Sequence, residues 1–261
     1  AAQAITASAL SERISAQAWP RELATLAVEF DRMLERLEDS FERLSRFSSN
    51  IAHELRTPIS NLMGETEVAL GRSLTAEQYR EVLASSLEEY QRLARLIDTL
   101  LFLARAETAN LQIHQSDFAA QESISAVMEF YEPLAKESLI ELSSTGQARV
   151  RGDEALFRRA ISNLLSNALR HVRPGGKVTV EARTEPTEVI VAVKDDGSGV
   201  APKDLPKLFD RFYRGENSRD SVGLGLSIVK SIMSLHHGTV EIASELGKGT
   251  TVILRFPLHS N

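Results

Sequence analysis

Between Leu23 and Ala106 the chain holds two glycines, Gly64 and Gly71, and one proline, Pro58, among residues dominated by Leu, Glu, Arg, Ala and Ser. Straight-chain residues lose little side-chain freedom in a helix, so over this length the composition commits the segment to helix. Apolar residues fall at Phe30, Leu34, Leu37, Phe41 and Leu44, then after a polar gap at Ser48 they resume at Ile51, Leu55, Ile59 and Leu62. Steps of three and four keep them on one stripe, a heptad-like seam. The stretch GRSLTAEQ interrupts it: Gly71 closes one helix, and Thr75 with Gln78 forms a capping box for the next. The second arm carries Tyr79, Leu83, Leu87, Tyr90, Leu93, Ile97, Leu100 and Leu101 on one side. Two such helices cannot bury a whole seam alone, which predicts an antiparallel helical hairpin that dimerises into a four-helix bundle.

After about Thr108 the texture changes to short alternating runs and amphipathic stretches separated by Gly and Pro, as in an α+β domain. Strands are expected at Leu139–Ser143, Lys177–Arg183, Glu188–Lys194, Thr239–Ser244 and Thr250–Phe256. Helices are expected at Gln121–Lys136, Glu154–His171 and Leu224–His237. Strands that cluster late and run as neighbours favour an antiparallel or mixed sheet covered by helices on one face. The 261 residues therefore read as a multidomain chain with its boundary near Glu107–Ser116.

Thirty basic residues against 36 acidic ones leave a formal charge of −6, so no global positive field exists to hold nucleic acid. The absence of cysteine excludes disulfides, thiol catalysis, thiolate zinc sites and cysteine-held iron–sulfur clusters. No apolar run approaches the ~18–20 residues that span a bilayer. The opening AAQAITASALSERI reads as the middle of a longer polypeptide.

His53 lies two residues from both Ile51 and Leu55, so at 100° per residue it points about 160° away from the seam, toward solvent. Glu54 adjoins it, Thr57 follows one turn on, and Pro58 removes a backbone bond just beyond. A neutral imidazole polarised by a carboxylate is a nucleophile at neutral pH, and the arrangement suits a phosphoacceptor. The string FSSNIAHELRTPI resembles the H-box of the sensor histidine kinases of two-component systems, in the form seen in their heavy-metal-sensing branch. The resemblance implies that His53 accepts the γ-phosphoryl group of ATP, that Glu54 is its general base, and that Thr57 positions water when a phosphorylated response regulator is dephosphorylated.

In the second half, Asn163, Asn167, Arg170 and His171 share a face of one helix at i, i+4, i+7 and i+8. Asparagine is a poor helix former, and its amide oxygen is a hard neutral ligand suited to Mg²⁺ that already holds phosphates. Asp195 ends a β-type run and precedes Gly197 and Gly199; a carboxylate there can accept the exocyclic amine of adenine. Phe212 and Arg214 lie in FDRFYRG, and Gly223, Leu224 and Gly225 open a helix whose N-terminus suits an anion. The G-x-G-x-x-G spacing of a dinucleotide site fails, and no Walker A sequence occurs.

In order, these four elements resemble the N, G1, F and G2 boxes of the GHKL (Bergerat) ATP-binding fold, with Gly247-Lys248-Gly249-Thr250 similar to the last box. The resemblance implies an α+β sandwich in which Asn167 binds Mg²⁺ with Asn163 in support. Arg170 and His171 would line the phosphate and adenine sides, Asp195 would read adenine, and residues 213–222 would form the ATP lid. Arg214 and Arg219 are candidates for the γ-phosphate. Ser221 departs from the glycine that such families often carry there. The remaining histidines, His114, His236, His237 and His259, read as structural or surface residues; His236 and His237 sit where a cation suits a helix C-terminus.

Residues 1–44 resemble the latter half of a HAMP signal-transfer module followed by a signalling helix. This implies a membrane-spanning parent receptor with this portion on the cytoplasmic side of the plasma membrane. The expected organisation is then a dimerisation and phosphotransfer hairpin at 45–108, a hinge at 109–116 and an ATP-binding domain at 117–261. The expected activity is ATP- and Mg²⁺-dependent autophosphorylation of His53 in a homodimer, then transfer to an aspartate of a response regulator receiver domain, with phosphatase activity on that regulator. The alternatives are a GHKL ATPase of the chaperone or mismatch-repair kind and a non-catalytic nucleotide-binding scaffold. The solvent-facing His53 speaks against the first, and intact His53, Asn167 and Asp195 against the second.

Overall fold

The computed structural model describes residues 20–107, 112–215 and 222–258. The expected HAMP portion up to residue 19, hinge residues 109–111, the lid positions Arg219 and Ser221, and His259 lie outside the described residues. The chain divides into two compact units, Ala1–Glu89 and Tyr90–Asn261.

In the first unit, α1 (Arg21–Gly71) is a single helix of 51 residues, about 75 Å long at 1.5 Å per residue. Pro58 lies inside it without ending it. The capping box forms as expected: Gln78 N–H donates to Thr75 Oγ1 at 3.3 Å, and Thr75 N–H donates to Gln78 Oε1 at 2.9 Å. This starts α2 (Ala76–Glu107). The Tyr79 hydroxyl lies 3.3 Å from the Ala69 carbonyl and 3.4 Å from that of Arg72, within donating distance of both, and so ties the turn to the end of α1. Ser85 donates to Glu65 at 3.2 Å across the hairpin. The seam is only partly covered within one chain. Leu34 and Leu62 are buried, but Leu37 (53% exposed), Phe41 (49%) and Leu83 (69%) are not.

The second unit contains the last turns of α2. It continues through β1 (Ser116–Ala119), α3 (Ala120–Glu137), β2 (Glu141–Thr145), β3 (Arg149–Gly152), α4 (Glu154–His171), β4 (Lys177–Thr184), β5 (Glu188–Asp195), α5 (Gly225–Leu235), β6 (Thr239–Glu245) and β7 (Gly249–Pro257). Five strands form a mixed sheet in the order β2-β4-β5-β7-β6, parallel only between β2 and β4. The helices pack on one another and on this sheet. Alternation explains the core: Val178 and Val180 on β4, Val189, Val191 and Val193 on β5, and Val252, Leu254 and Phe256 on β7 are buried. They meet Phe157, Ile161 and Leu165 of α4 in one layer with Ile232 and Met233 of α5, and these five helix residues are all within 2% exposure. Each such side chain contributes about 1.5–3 kcal/mol relative to exposure.

Three local departures from the sequence reading have physical causes. The first strand of the sheet starts at Glu141 rather than Leu139, because Leu139 adopts left-handed backbone (φ 57°) as α3 terminates. Helix α5 stops at Leu235, and His237 is left-handed (φ 53°) in the turn that follows. A two-stranded ribbon of β1 with β3 was not expected: its four-residue strands are too short to show a period.

Candidate active sites

His53 is exposed on α1, whereas Ile51 and Leu55, two residues away on either side, are half-buried. An imidazole so placed is open to solvent. Glu54 beside it is half-buried, and exposed Thr57 donates its hydroxyl to the His53 carbonyl at 3.4 Å, which orients it along the same face. Buried Pro58 lacks the N–H that would otherwise reach the Glu54 carbonyl.

The second site sits at one end of the sheet in the second unit. The N-cap of α4 is Asp153, whose carboxylate accepts the Leu156 N–H at 3.0 Å. From there Asn163, Asn167 and His171 follow along the helix, all half-buried, with Arg170 exposed beside them. Asn163 donates Nδ2 to the Arg159 carbonyl at 2.7 Å, which turns Oδ1 outward. That oxygen faces the start of α5: a Cβ built on Gly225 would lie 3.5 Å from it.

Asp195 ends β5 and is 9% exposed. Its Oδ1 accepts the N–H of Gly197 at 2.9 Å and of Thr250 at 3.2 Å, leaving Oδ2 for another donor. Burial pushes this carboxyl above its ordinary value, while those two N–H groups and His171 pull it back. His171 is pushed down by burial and by Arg170, against the pull of Asp195, so it is poised neutral beside the carboxylate.

The glycines after Asp195 serve close backbone packing. A Cβ on Gly197 would lie 2.6 Å from the His171 carbonyl, and one on Gly199 (φ 64°) 2.0 Å from that of Glu245. The loop after β5 is thereby pressed between the end of α4 and the β6–β7 hairpin.

The two ends of the expected lid are fastened together. Phe212, in left-handed backbone (φ 61°), donates its N–H to the Gly223 carbonyl at 2.8 Å. A side chain on Gly223 (φ 72°) would strike the Tyr213 carbonyl at 2.6 Å. Tyr213 in turn donates its hydroxyl to Asp204 at 2.7 Å. Arg214 is exposed at this base. Leu224 is buried, and α5 begins with no side-chain cap, so its first N–H groups suit a phosphate.

The donor set fits magnesium held mainly by nucleotide phosphates. Among the described residues no group of three or more His, Asp or Glu side chains could hold a metal, but the Asn163 and Asn167 amides supply hard oxygens on one helix face. His236, read from sequence as a structural or surface residue where a cation suits a helix C-terminus, is structural and buried in the core. Its Nε2 accepts the Asp153 N–H at 2.9 Å and its Nδ1 faces the Ile232 carbonyl at 2.8 Å. Sequence reasoning also missed Ser244, which contacts Val200, Gly249 and Thr250. Its only sequence signal is its place opposite Thr250 in a hairpin turned at Gly247.

Residues 43–109 match the model of the His Kinase A (phospho-acceptor) domain, and residues 152–260 that of the histidine kinase-, DNA gyrase B-, and HSP90-like ATPases. The chain is 42% identical to the sensor protein IrlS of Burkholderia pseudomallei over 99% of this chain and 57% of that protein. It is likewise 42% identical to the sensor histidine kinase CusS of Escherichia coli K12 over 98% of this chain and 54% of that one. It thus spans about half the length of the curated relatives it matches. Among solved structures, full-length ShkA in complex with AMPPNP is similar at a TM-score of 0.63 and 28% identity, over 80% of this chain and 45% of that one.

Proposed function

The chain belongs to the sensor histidine kinases, and from that premise we propose that it moves the γ-phosphoryl group of ATP onto His53 and then to an aspartate of a response regulator. The observations that support this reading are an exposed, carboxylate-flanked His53 in the first unit and, in the second, a buried Asp195 whose Oδ1 is fixed by two backbone N–H groups while Oδ2 is left for another donor.

In the first step a lone pair on one His53 ring nitrogen attacks the γ-phosphorus. A nitrogen–phosphorus bond forms as the bond to the β–γ bridging oxygen breaks, and ADP leaves with that electron pair. Glu54 takes the proton that the imidazolium would otherwise keep. In the second step the phosphoryl group passes to the regulator carboxylate, and the imidazole is restored. Little covalent help is needed, so the protein acts through positioning and charge.

On this reading Asp195 Oδ2 accepts the 6-amino group, with His171 beside the base. The α5 N-terminus at Gly223, Leu224 and Gly225 receives the phosphates, and Arg214 reaches the γ-phosphate. Asn167, supported by Asn163, would hold Mg²⁺, which when bound neutralises phosphate charge. Thr57 and Glu54 would orient water for dephosphorylation of the regulator. Exposed Leu37, Phe41 and Leu83 support a homodimer that completes the four-helix bundle. Residues 109–116 would hinge the hairpin to the ATP-binding domain at 117–261. Among the described residues no helix is long and apolar enough to cross a membrane, and a membrane-spanning parent is proposed from the relatives named as sensors.

The test is incubation with γ-labelled ATP and Mg²⁺. Acid-labile, alkali-stable label on the protein, lost in His53→Gln with nucleotide binding retained, is the expected result. Nucleotide hydrolysis without protein label, unchanged in His53→Gln, would overturn it in favour of an ATPase.

A further inference from the structure

Asp195, Thr250 and Ser244 lie abreast on three adjacent strands: Thr250 of β7 is the register partner of Asp195 on β5 and of Ser244 on β6. Residues directly opposite one another in a sheet project to the same side. The row continues the face that carries Val193 and Val252, so the apolar core ends in three polar side chains at the nucleotide edge.

The Ser244 hydroxyl has three neighbours, and its inventory of one hydrogen and two lone pairs fixes the role of each. The Val200 N–H, 2.9 Å away, can only donate and occupies one lone pair. The Gly249 carbonyl, 2.8 Å away, can only accept and takes the single hydrogen. Thr250 Oγ1, 2.9 Å away, must therefore donate its own hydrogen to the remaining lone pair. That hydrogen points away from Asp195, and the Thr250 oxygen is left with lone pairs alone. The Thr250 backbone N–H donates separately to Asp195 Oδ1, so the side-chain hydroxyl is held by Ser244.

We propose that Ser244 is a specificity-determining positioning residue, holding the Thr250 hydroxyl as an obligate acceptor so that the base edge of the site, Asp195 with Thr250, offers acceptors only. This rests on the ATP-binding reading above and deepens it. Adenine, whose 6-amino group donates, matches such an edge directly at that position. A 6-oxopurine presents an accepting carbonyl at that position and meets acceptor against acceptor there; since its N1–H donates where adenine N1 accepts, the preference turns on the group at position 6. Without Ser244 the Thr250 hydroxyl is free to turn and donate, and the discrimination weakens.

The measurement is equilibrium binding of ATP and of inosine triphosphate, each with Mg²⁺, to the full chain. The parent prefers ATP. Ser244→Ala lowers the ATP-to-ITP preference by about fivefold, the size of one misplaced hydrogen bond, and Ser244→Thr keeps it. Thr250→Val, which leaves Ser244 in place, lowers the same ratio, and Ser244→Ala added to Thr250→Val changes it no further. Equal weakening of both nucleotides in Ser244→Ala would reduce Ser244 to a structural support and overturn the proposal, as would an unchanged ratio in Thr250→Val. A parent chain that binds neither nucleotide would fail the ATP-binding reading itself, and the proposal with it.

Discussion

His236 Nε2 accepts the backbone N–H of Asp153 at 2.9 Å, a bond that spans 83 residues of sequence. It joins the end of α5 to the residue that caps α4, the helix that carries Asn163, Asn167 and His171. The ring stands edge-on to Phe256 and fills the space that a side chain at Gly152 would need, 2.4 Å from its Cβ.

Loss of this ring should therefore be felt in the nucleotide domain. His236→Ala leaves a buried N–H unpaired and a cavity beside Phe256, which together cost about 2–4 kcal/mol. Urea unfolding followed by circular dichroism should show the second unit unfolding earlier. An unchanged midpoint would mean that the cap of α4 is secured by Asp153 alone.

Arg159 lies over the Phe102 ring, 4.3 Å from its centroid, and thus ties α4 to the last turns of α2. Burial pulls the guanidinium below its ordinary value against the support of Asp98, but arginine keeps its charge. Arg159→Ala should cost about 1 kcal/mol and quicken amide exchange around the buried residues Leu96 and Leu103. Unaltered protection there would show that apolar packing alone holds this end of α2.

ATP affinity should respond to acid through Asp195. Burial raises its carboxyl above the ordinary 3.8, and only the carboxylate accepts the purine amine. Binding should therefore fall as the pH drops through that raised value, earlier than an ordinary aspartate would permit. The sign for the free protein is opposite: the folded state keeps this proton to higher pH than the unfolded chain, so ionisation of Asp195 subtracts stability as the pH rises from 3.8 through the raised value. His171, held below its ordinary 6.5 by burial, is the group that could mimic the binding effect. Titration of Mg–ATP binding from neutral pH down toward the ordinary 3.8 should preserve the fall in His171→Gln, and Asp195→Asn should bind weakly throughout.

Gly223 is held at φ 72° against the backbone of Phe212 and Tyr213. Gly223→Ala forces either backbone strain or separation of the fastened lid ends, and ATP affinity should fall about tenfold. A variant that bound ATP like the parent while folded would show that the Phe212–Gly223 bond does not shape the site.

The elements visible in the sequence were those that depend on neighbours along the chain. The Thr75–Gln78 capping box formed between the residues that spelled it, and the runs around Val178, Val191 and Val252 became strands because period-two alternation needs no knowledge of the partner strand. His53 could be placed toward solvent from helical geometry alone. His236 reads from sequence as structural, but its burial against Asp153 and Phe256 does not, because a position near a helix end says nothing about what packs over it.

Sequence by itself determined the long helical hairpin, the order of the sheet-forming segments and the solvent-facing His53, since propensity, period and capping act within a few residues. Only the tertiary structure decided that His236 caps from within the core, that β1 pairs with β3, and that Ser244, Thr250 and Asp195 stand in one row. Hydrogen-bond polarity at that row follows from register between distant strands, and register is settled by burying both faces of the pairing segments together rather than by any one of them.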